Sequence, residues 1–297
     1  GDSLSDDGNS YSIDGSAFPA SPPYEKWWSN GPVAVNVLAS NLGIPLGPSA
    51  TGGRDYAVAG ATTGTSNILT AGGIGAFANT GMQNQVNSFT GAPPAFNPAT
   101  SLFVLWGGGN DLVLSPTSQA VTQAVSNLSA EVTQLAAAGA RNFLIPNWLD
   151  WSLSPSAIAL GPAAQAYTHS LVLLFNSDLA TALGTLRGQL PTSNLMSFDT
   201  YDALNTVISN PATYGLTNVT SPCVILNTPF GGPITIASLC TNPSQYSWWD
   251  AEHPTATVHE VLGTDMVAAV PEPSTLSLAL LGLLTLKATR KARRHGG

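Results

Sequence analysis

Apolar residues recur at spacings of three and four along several stretches of the chain, a pattern typical of helices with one buried face. The most regular stretch covers residues 116–138, where Val121, Val125 and Leu128 share one side and Gly139 ends the pattern. Shorter or less regular versions of this pattern predict three further helices, at 33–42, 162–186 and 255–270.

Short apolar runs bounded by turn-forming residues predict buried strands. Such runs occupy residues 56–61, 101–106, 142–146 and 195–198. Because these strands alternate with helices, the pattern indicates an α/β fold with a mainly parallel central sheet covered on both faces. We expect one domain over residues 1–269. Within it, we expect a mobile surface segment at 62–81 and irregular structure at 210–247.

The chain opens on Gly-Asp-Ser-Leu-Ser-Asp-Asp-Gly-Asn, a run of mostly small and turn-forming residues. Such a run usually follows a strand rather than starting a protein. We therefore expect a signal peptide and at least one strand upstream of Gly1, so that the first strand of the sheet is missing from this sequence.

Residues 270–297 differ in kind from the rest of the chain. A Val-Pro-Glu-Pro break at 270–273 leads into an uncharged, leucine-rich stretch at 274–286, and five of the nine basic residues follow. The leucines cover every face of a helix, which favours a membrane-directed segment over an amphipathic helix packed on the domain. The stretch is shorter than the roughly 20 residues that span a bilayer comfortably.

Charged residues make up only 9% of the chain. The net charge is −8, but the basic residues are unevenly distributed along the sequence. Residues 1–286 carry 4 basic and 17 acidic side chains, and therefore a net charge of −13. Because so acidic a body repels phosphate backbones, we expect no nucleic-acid partner. The composition leaves the oligomeric state open.

The chain has two cysteines, Cys223 and Cys240, with 16 residues between them. Neither belongs to a CxxC pair and no histidine cluster accompanies them, so we expect no metal site. In a chain poor in lysine and rich in serine, threonine and asparagine, they favour a disulfide made in an oxidising compartment. The alternative is a pair of buried free thiols.

Two loops carry residue types suited to nucleophilic catalysis. Ser3 stands in a turn that can present its hydroxyl, although most serines in turns only cap or bend the chain. His253 follows Asp250 by three residues, so the carboxylate can hold one imidazole nitrogen while the other accepts a proton. A solvated loop histidine is the alternative. No aspartate stands at this spacing before the other histidines, His169, His259 and His295.

Two glycine-containing loops offer donors for an oxyanion hole. Asn110 follows two glycines after the run at 101–106, and its amide can donate to a developing oxyanion. Gly60 permits close approach and an exposed backbone N–H. Each loop alone is compatible with ordinary turn chemistry. Together with the serine and the histidine–aspartate pair, they complete the set of groups needed for acyl transfer to water.

Four ordered blocks resemble the SGNH, or GDSL, family of serine esterases and lipases. They read Gly-Asp-Ser-Leu, Tyr-Ala-Val-Ala-Gly-Ala-Thr-Thr, Gly-Gly-Asn-Asp and Trp-Asp-Ala-Glu-His-Pro-Thr, and begin at residues 1, 56, 108 and 249. The resemblance implies a three-layer α/β/α sandwich with no metal or cofactor. It implies Ser3 as nucleophile, His253 as base and Asp250 as its orienting partner. The N–H groups of Ser3 and Gly60 and the side chain of Asn110 would form the oxyanion hole.

Further segments narrow the resemblance to one branch of the family. Ser-Asn-Gly-Pro at 29–32 and Tyr-Gly-Leu-Thr-Asn-Val-Thr at 214–220 resemble secreted plant and bacterial lipases and phospholipid acyl hydrolases. One departure is Asp55, which stands where the family more often has asparagine.

The tail resembles the PEP-CTERM sorting signal, with its Pro-Glu-Pro motif, short apolar stretch and basic end. This resemblance implies export and recognition by an exosortase-type membrane enzyme, and it agrees with the expected disulfide. We therefore expect two regions, a hydrolase domain at 1–269 and a sorting signal at 270–297.

The expected function is an exported serine hydrolase that cleaves carboxylic acyl esters. The alternatives are an acyltransferase or phospholipase of the same fold, and a surface or matrix protein without catalysis. Lipid esters, O-acetyl groups on polysaccharide and small soluble esters all remain open as substrates. Six tryptophans can line an acyl groove or belong to the core: Trp27, Trp28, Trp148, Trp151, Trp248 and Trp249.

Overall fold

The computed structural model describes residues 1–15, 18–227 and 235–270. The predicted sorting signal therefore lies outside the described residues, apart from Val270. Among the helices in the described ranges, none combines the length and hydropathy that a membrane span requires.

A parallel sheet stands at the centre of the fold. Its strands are β1 (Leu102–Val104), β2 (Asn142–Pro146) and β3 (Asn194–Phe198), in that order across the sheet. The central strand β2 is buried from Phe143 to its end, as expected for a strand covered on both faces. Three of the four predicted strands are therefore confirmed.

The strand predicted at residues 56–61 is wrong. Its backbone N–H groups bind carboxylates instead of a neighbouring strand: Ala57 donates to Asp55 and Ala59 donates to Asp6. Gly60 then turns the chain with a φ of 75°. The run is apolar because it is buried beneath the first residues of the chain, so its composition reflected burial rather than strand pairing.

Helices cover the sheet. Within the described residues they are α1 (Asn9–Ile13), α2 (Ala34–Asn41), α3 (Ile68–Ala71), α4 (Met82–Gly91), α5 (Gly109–Leu114), α6 (Ser118–Ala137), α7 (Pro155–Ala159), α8 (Pro162–Gln189), α9 (Thr200–Ser209) and α10 (Ala256–Ala269). The four predicted helices correspond to α2, α6, α8 and α10. Helix α6 packs on α8 and α2 packs on α10, while β3 contacts both α8 and α10. The result is the predicted α/β/α sandwich.

The segment at 62–81 packs against the body of the protein, contrary to the expected mobile surface loop. Two apolar residues of this segment, Leu69 and Phe77, are buried. The side-chain amide of Asn67 donates to the carbonyl of Ala59 and to the hydroxyl of Thr80, 2.7 and 2.9 Å away. Its glycines and threonines suggested a loop, but these contacts fix the segment in place.

Residues 210–247 contain short strands rather than only irregular structure. They are β4 (Asn218–Pro222), β5 (Val224–Leu226), β6 (Ile236–Leu239) and β7 (Tyr246–Trp248). Strand β4 pairs with β7 in parallel, and β5 pairs with β6 in antiparallel fashion. The predicted disulfide between Cys223 and Cys240 is present and closes the β5–β6 hairpin at its base.

Candidate active site

Ser3 lies on a tight turn at the start of the chain. The carbonyl of Asp2 accepts hydrogen bonds from the N–H groups of Ser5 and Asp6, both at 3.0 Å, and so closes the turn beneath Ser3. Asp6 is fully buried, and its carboxylate accepts the N–H groups of Gly8 and Asn9 at 2.9 and 2.6 Å. The turn is therefore held from below by a buried carboxylate.

His253 lies on a second turn, which Asp250 organises. One Asp250 oxygen, Oδ1, accepts the backbone N–H groups of Glu252 and His253, both at 2.8 Å. The other, Oδ2, lies 2.8 Å from Nδ1 of His253. The spacing of three residues thus allows one carboxylate to bind both the backbone and the side chain of the same histidine.

The two turns meet although they lie 250 positions apart in the sequence. Nε2 of His253 lies 2.9 Å from Oγ of Ser3, which is hydrogen-bonding distance. The His253 side chain is 14% exposed, so the imidazole is shielded but still open on one side. Ser3, His253 and Asp250 therefore form one continuous hydrogen-bonded row.

The electrostatics of this row favour a charged imidazolium. Burial disfavours the carboxylate of Asp250, but the charge of His253 and the hydrogen bonds from His253, Tyr24 and the N–H of Glu252 together lower the pKa of Asp250. Burial likewise disfavours the imidazolium, but the charge and hydrogen bond of Asp250, together with the charges of Glu252 and Asp2, raise the pKa of His253. An imidazole that accepts a proton from Ser3 is thus stabilised by its partner.

The loops of Gly60 and Asn110 connect to the beginning of the chain, since the N–H of Val58 donates to the carbonyl of Gly1 at 3.2 Å. In the described ranges, the N–H groups of Ser3 and Gly60 donate to no protein atom. Gly60 has a φ of 75°, and a Cβ there would lie 2.5 Å from Oδ1 of Asn67, so only glycine fits. Asn110 donates one amide hydrogen to the carbonyl of Ala61 at 3.0 Å, which anchors its side chain.

The chain is similar to proteins of a known family. The model of the GDSL-like lipase/acylhydrolase family matches residues 1–266. The chain belongs to this family. Its relatives include a named GDSL esterase/lipase and an acetylajmalan esterase, and this chain is a carboxylic ester hydrolase. A second model, the PEP-CTERM protein-sorting motif, matches residues 269–294 and indicates export by means of a C-terminal signal.

Similar proteins of known name come from plants and bacteria. A GDSL esterase/lipase of Arabidopsis thaliana is 27% identical, over 88% of this chain and 78% of the relative. Acetylajmalan esterase 2 of Rauvolfia serpentina is 24% identical, over 87% of this chain and 85% of the relative. The thermolabile hemolysin of Vibrio parahaemolyticus is 28% identical, over 90% of this chain and 62% of the relative.

Tyr24 is a contact residue of this GDSL-like site that the sequence did not single out. Its hydroxyl donates to Oδ2 of Asp250 at 2.6 Å, across 226 positions. Trp28 packs beside the imidazole of His253, with the ring centroids 5.3 Å apart. Both belong to an aromatic, proline-rich segment without a recognisable catalytic motif, so only the folded chain reveals their position.

Four of the six tryptophans considered for an acyl groove belong to the core. Trp28, Trp148, Trp248 and Trp249 are each at most 5% exposed. Trp27 and Trp151 are half-buried, and Nε1 of Trp27 donates to the carboxylate of Asp7. Most of the six tryptophans are therefore core residues rather than lining residues of an acyl groove.

Two neighbouring residues support the loops. Asp111, next to Asn110, accepts both the N–H and the hydroxyl of Thr63, at 2.9 and 2.7 Å, and so ties two loops together. Thr255 stands at the N-cap of α10, but its hydroxyl donates to the carbonyl of Tyr246 at 2.7 Å instead of capping the helix.

Metal-ligating side chains do not cluster anywhere in the described ranges, since no group of three or more histidines, cysteines or carboxylates comes together there. The side chains brought together at the site supply a hydroxyl, an imidazole and a carboxylate.

Proposed function

We propose that the protein is an exported serine hydrolase in which Ser3 is the nucleophile, His253 the base and Asp250 its orienting partner. The observation that carries this proposal is the 2.9 Å distance between Oγ of Ser3 and Nε2 of His253. A serine hydroxyl is a weak nucleophile unless an adjacent base removes its proton, and this histidine is placed to do so.

In the proposed reaction, Oγ of Ser3 attacks the carbonyl carbon of the ester while its proton passes to Nε2 of His253. The resulting imidazolium then gives that proton to the leaving alcohol, and an acyl-serine remains. A water molecule enters, loses a proton to His253 and attacks the acyl carbon, and the acid is released as Ser3 regains its proton. Asp250 holds the imidazole in the required tautomer throughout.

Each attack places negative charge on the carbonyl oxygen. We assign its stabilisation to the N–H groups of Ser3 and Gly60 and to the free amide hydrogen of Asn110. Each donor of this kind contributes about 3 kcal/mol to transition-state stabilisation in serine hydrolases. The two backbone donors are free of other partners in the described part of the chain, which supports this assignment.

The names of the relatives support acyl esters of carboxylic acids as the substrate class. We also propose that an exosortase-type membrane enzyme recognises residues 269–294 during export, because that segment matches the sorting motif. Removal of residues 271–297 is expected to change the compartment in which the protein accumulates, which cell fractionation measures.

The hydrolase proposal is tested by Ser3→Ala in the full chain, with p-nitrophenyl acetate as substrate. Without the nucleophile, kcat is expected to fall by about 10³-fold or more. Ser5→Ala is the matched control, because Ser5 lies on the same turn and its buried hydroxyl has no hydrogen-bond partner in the described residues. This control is expected to retain activity within about threefold.

A covalent readout makes the test independent of turnover. A fluorophosphonate should transfer its phosphonyl group to Oγ of Ser3 with loss of fluoride, and peptide mass spectrometry locates the added mass. Labelling of Ser3→Ala at the same rate as the wild type, or equal hydrolysis by both proteins, would overturn the assignment.

A further inference from the structure

The carboxylate of Asp250 has four hydrogen-bond donors, and one of them comes from a distant part of the chain. Its Oδ1 atom is occupied by two backbone N–H groups of its own turn. The imidazole Nδ1 of His253 lies 2.8 Å from Oδ2 and 3.0 Å from Oδ1, and Oδ2 also accepts the hydroxyl of Tyr24, at 2.6 Å. The tyrosine therefore shares the oxygen that lies nearer to the imidazole.

We propose that Tyr24 is a positioning residue that weakens and aligns the base His253 through its hydrogen bond to Asp250. This inference rests on the proposed function, in which His253 removes the proton of Ser3. It assigns to Tyr24 control over the pH range in which that proton transfer occurs.

The donor count explains the alignment. An ionised carboxylate offers about four lone-pair directions, and the four donors around Asp250 occupy them. With both oxygens engaged, the carboxylate cannot rotate, and the imidazole that it holds keeps Nε2 aimed at Ser3. Loss of one donor frees the Oδ2 side of the carboxylate and loosens this alignment.

The same hydrogen bond sets the charge that His253 experiences. Burial and the charge of Asp250 raise the pKa of Tyr24 far above its usual range, so its hydroxyl stays protonated and acts as a donor. Donation to Oδ2 offsets part of the negative charge of Asp250. The imidazolium is then stabilised less strongly, and His253 stays neutral, and able to accept a proton, down to a lower pH.

The ring of Tyr24 is held independently of its hydroxyl. It packs against Trp28 and Trp249, with ring centroids 5.7 and 5.9 Å apart, and the residue is 1% exposed. Its backbone N–H donates to the carbonyl of Ala20 at 3.2 Å. Tyr24→Phe therefore removes the hydrogen bond while keeping the aromatic packing.

Other titratable groups surround the base and must be separated from this effect. Besides Asp250, the charges that act on His253 come from Glu252 and Asp2. Burial raises the pKa of Glu252 to about 7 and that of Asp2 to about 6. Burial lowers the pKa of the His259 imidazole to about 3, and the charge of His253 lowers it as well. A kinetic profile alone therefore needs a second, site-specific readout.

The experiment compares Tyr24→Phe with the wild type in two measurements. In the pH profile of kcat/KM, the acid limb is expected to move to higher pH by about half a unit. At the optimum, kcat is expected to fall by roughly three- to tenfold with KM within about twofold, because alignment rather than binding is lost. In proton NMR, the low-field resonance of the Nδ1–H···Oδ2 hydrogen bond should shift.

Tyr56→Phe is the matched control. Tyr56 packs against Phe89, with ring centroids 5.6 Å apart, and its hydroxyl has no hydrogen-bond partner within the described ranges. This control is expected to leave the acid limb and the low-field resonance unchanged. If Tyr24→Phe also leaves both unchanged, the inference is overturned.

A second variant covers the case in which Tyr24→Phe does not fold. Replacement of Tyr24 by 3-fluorotyrosine makes the hydroxyl a stronger donor, so the acid limb should move to lower pH; an unmoved limb contradicts the inference. The NMR readout needs no turnover. Failure of the proposed function would appear as full activity of Ser3→Ala, whereas failure of this inference leaves that variant inactive.

Discussion

Ser3 and His253 arrive at the same point from turns that are stabilised in different ways. The serine turn is held by buried carboxylates that accept backbone N–H groups. The histidine turn has a buried carboxylate of its own, Asp250, and is held in addition by backbone pairing to a neighbouring strand and by a disulfide. The comparison teaches that both halves of the site use buried carboxylates, whereas only the histidine half adds a covalent closure.

On the serine side, two carboxylates join the first residues of the chain to the segment before Gly60. Asp6 accepts the N–H of Ala59 at 2.9 Å as well as those of its own loop. Asp55 accepts the N–H groups of Asp7 and Ala57 on its two oxygens, at 2.6 and 3.0 Å. Burial raises the pKa of both carboxyls, to about 7 for Asp55.

On the histidine side, the backbone itself makes the connections. The N–H groups of Cys223 and Val224 donate to the carbonyls of Trp248 and Trp249, at 3.0 and 2.7 Å. The N–H of Trp249 in turn donates to the carbonyl of His253 at 2.7 Å. The disulfide joins Cys223 to Cys240, and Cys223 is itself one of the residues that make these backbone contacts.

Among the changes that test this comparison, removal of the disulfide is expected to lower the free energy of unfolding the most. Cys223→Ser combined with Cys240→Ser opens a cross-link between residues 17 positions apart. The free energy of unfolding is expected to fall by about 3 kcal/mol. Because the cross-link supports the histidine turn, kcat/KM should fall as well. Denaturant titration and ester hydrolysis measure the two effects.

Reductant provides the control for this experiment. It should reproduce the loss of stability in the wild type and have no effect on the double variant. An unfolding midpoint that is the same for the oxidised wild type and the double variant would show that the disulfide does not stabilise the fold.

A smaller effect, on the serine side, is expected for Asp55→Asn. Asparagine has one acceptor oxygen, so it cannot accept both the Asp7 and the Ala57 N–H groups. We expect a cost of about 1 kcal/mol at pH 5, where one buried N–H loses its partner. Denaturant unfolding over a range of pH measures this difference.

The pH dependence of Asp55→Asn has a definite sign. The folded wild type binds a proton at Asp55 up to about pH 7, whereas the unfolded chain releases it near the ordinary value of 3.8. Between these values the folded state holds more protons, so wild-type stability falls as the pH rises. Nearby Asp6 contributes to the raised pKa. In Asp55→Asn this slope should be shallower, and the cost should shrink by pH 8.

Asp265→Asn, an exposed position on α10, serves as the reference for a carboxylate outside the site. If Asp55→Asn and the wild type give parallel curves of stability against pH, then Asp55 is not the charge that makes the serine side sensitive to pH.

Parts of the fold followed from local patterns and parts did not. The periodicity of α6 and the apolar run of β2 were sufficient, because each element buries a face that its own residues define. The run at 56–61 was misleading, because Asp6 and Asp55 accept N–H groups that would otherwise pair with a neighbouring strand. The segment at 62–81 was misleading for a similar reason, since the side chain of Asn67 supplies order that its composition does not predict.

The candidate site, too, could be predicted only in part from local sequence patterns. Ser3, Asp250 and His253 could be singled out as candidates, because a serine in a turn and a histidine three residues after an aspartate are recognisable patterns, and the family resemblance added the roles expected of them. Tyr24 could not be singled out, because the role proposed for its hydroxyl depends on a hydrogen bond to Asp250, which lies 226 positions away in the sequence. No local spacing encodes that contact.

The amino-acid sequence by itself determined the family, the α/β class, the disulfide partners and the residues able to carry acyl-transfer chemistry, because these depend on residue type and on short-range order. Only the tertiary structure decided that the Ser3 and His253 turns meet, which oxygen of Asp250 each donor occupies and which carboxylates lie buried beneath the serine. These are contacts between distant segments, and the packing of the whole chain sets them.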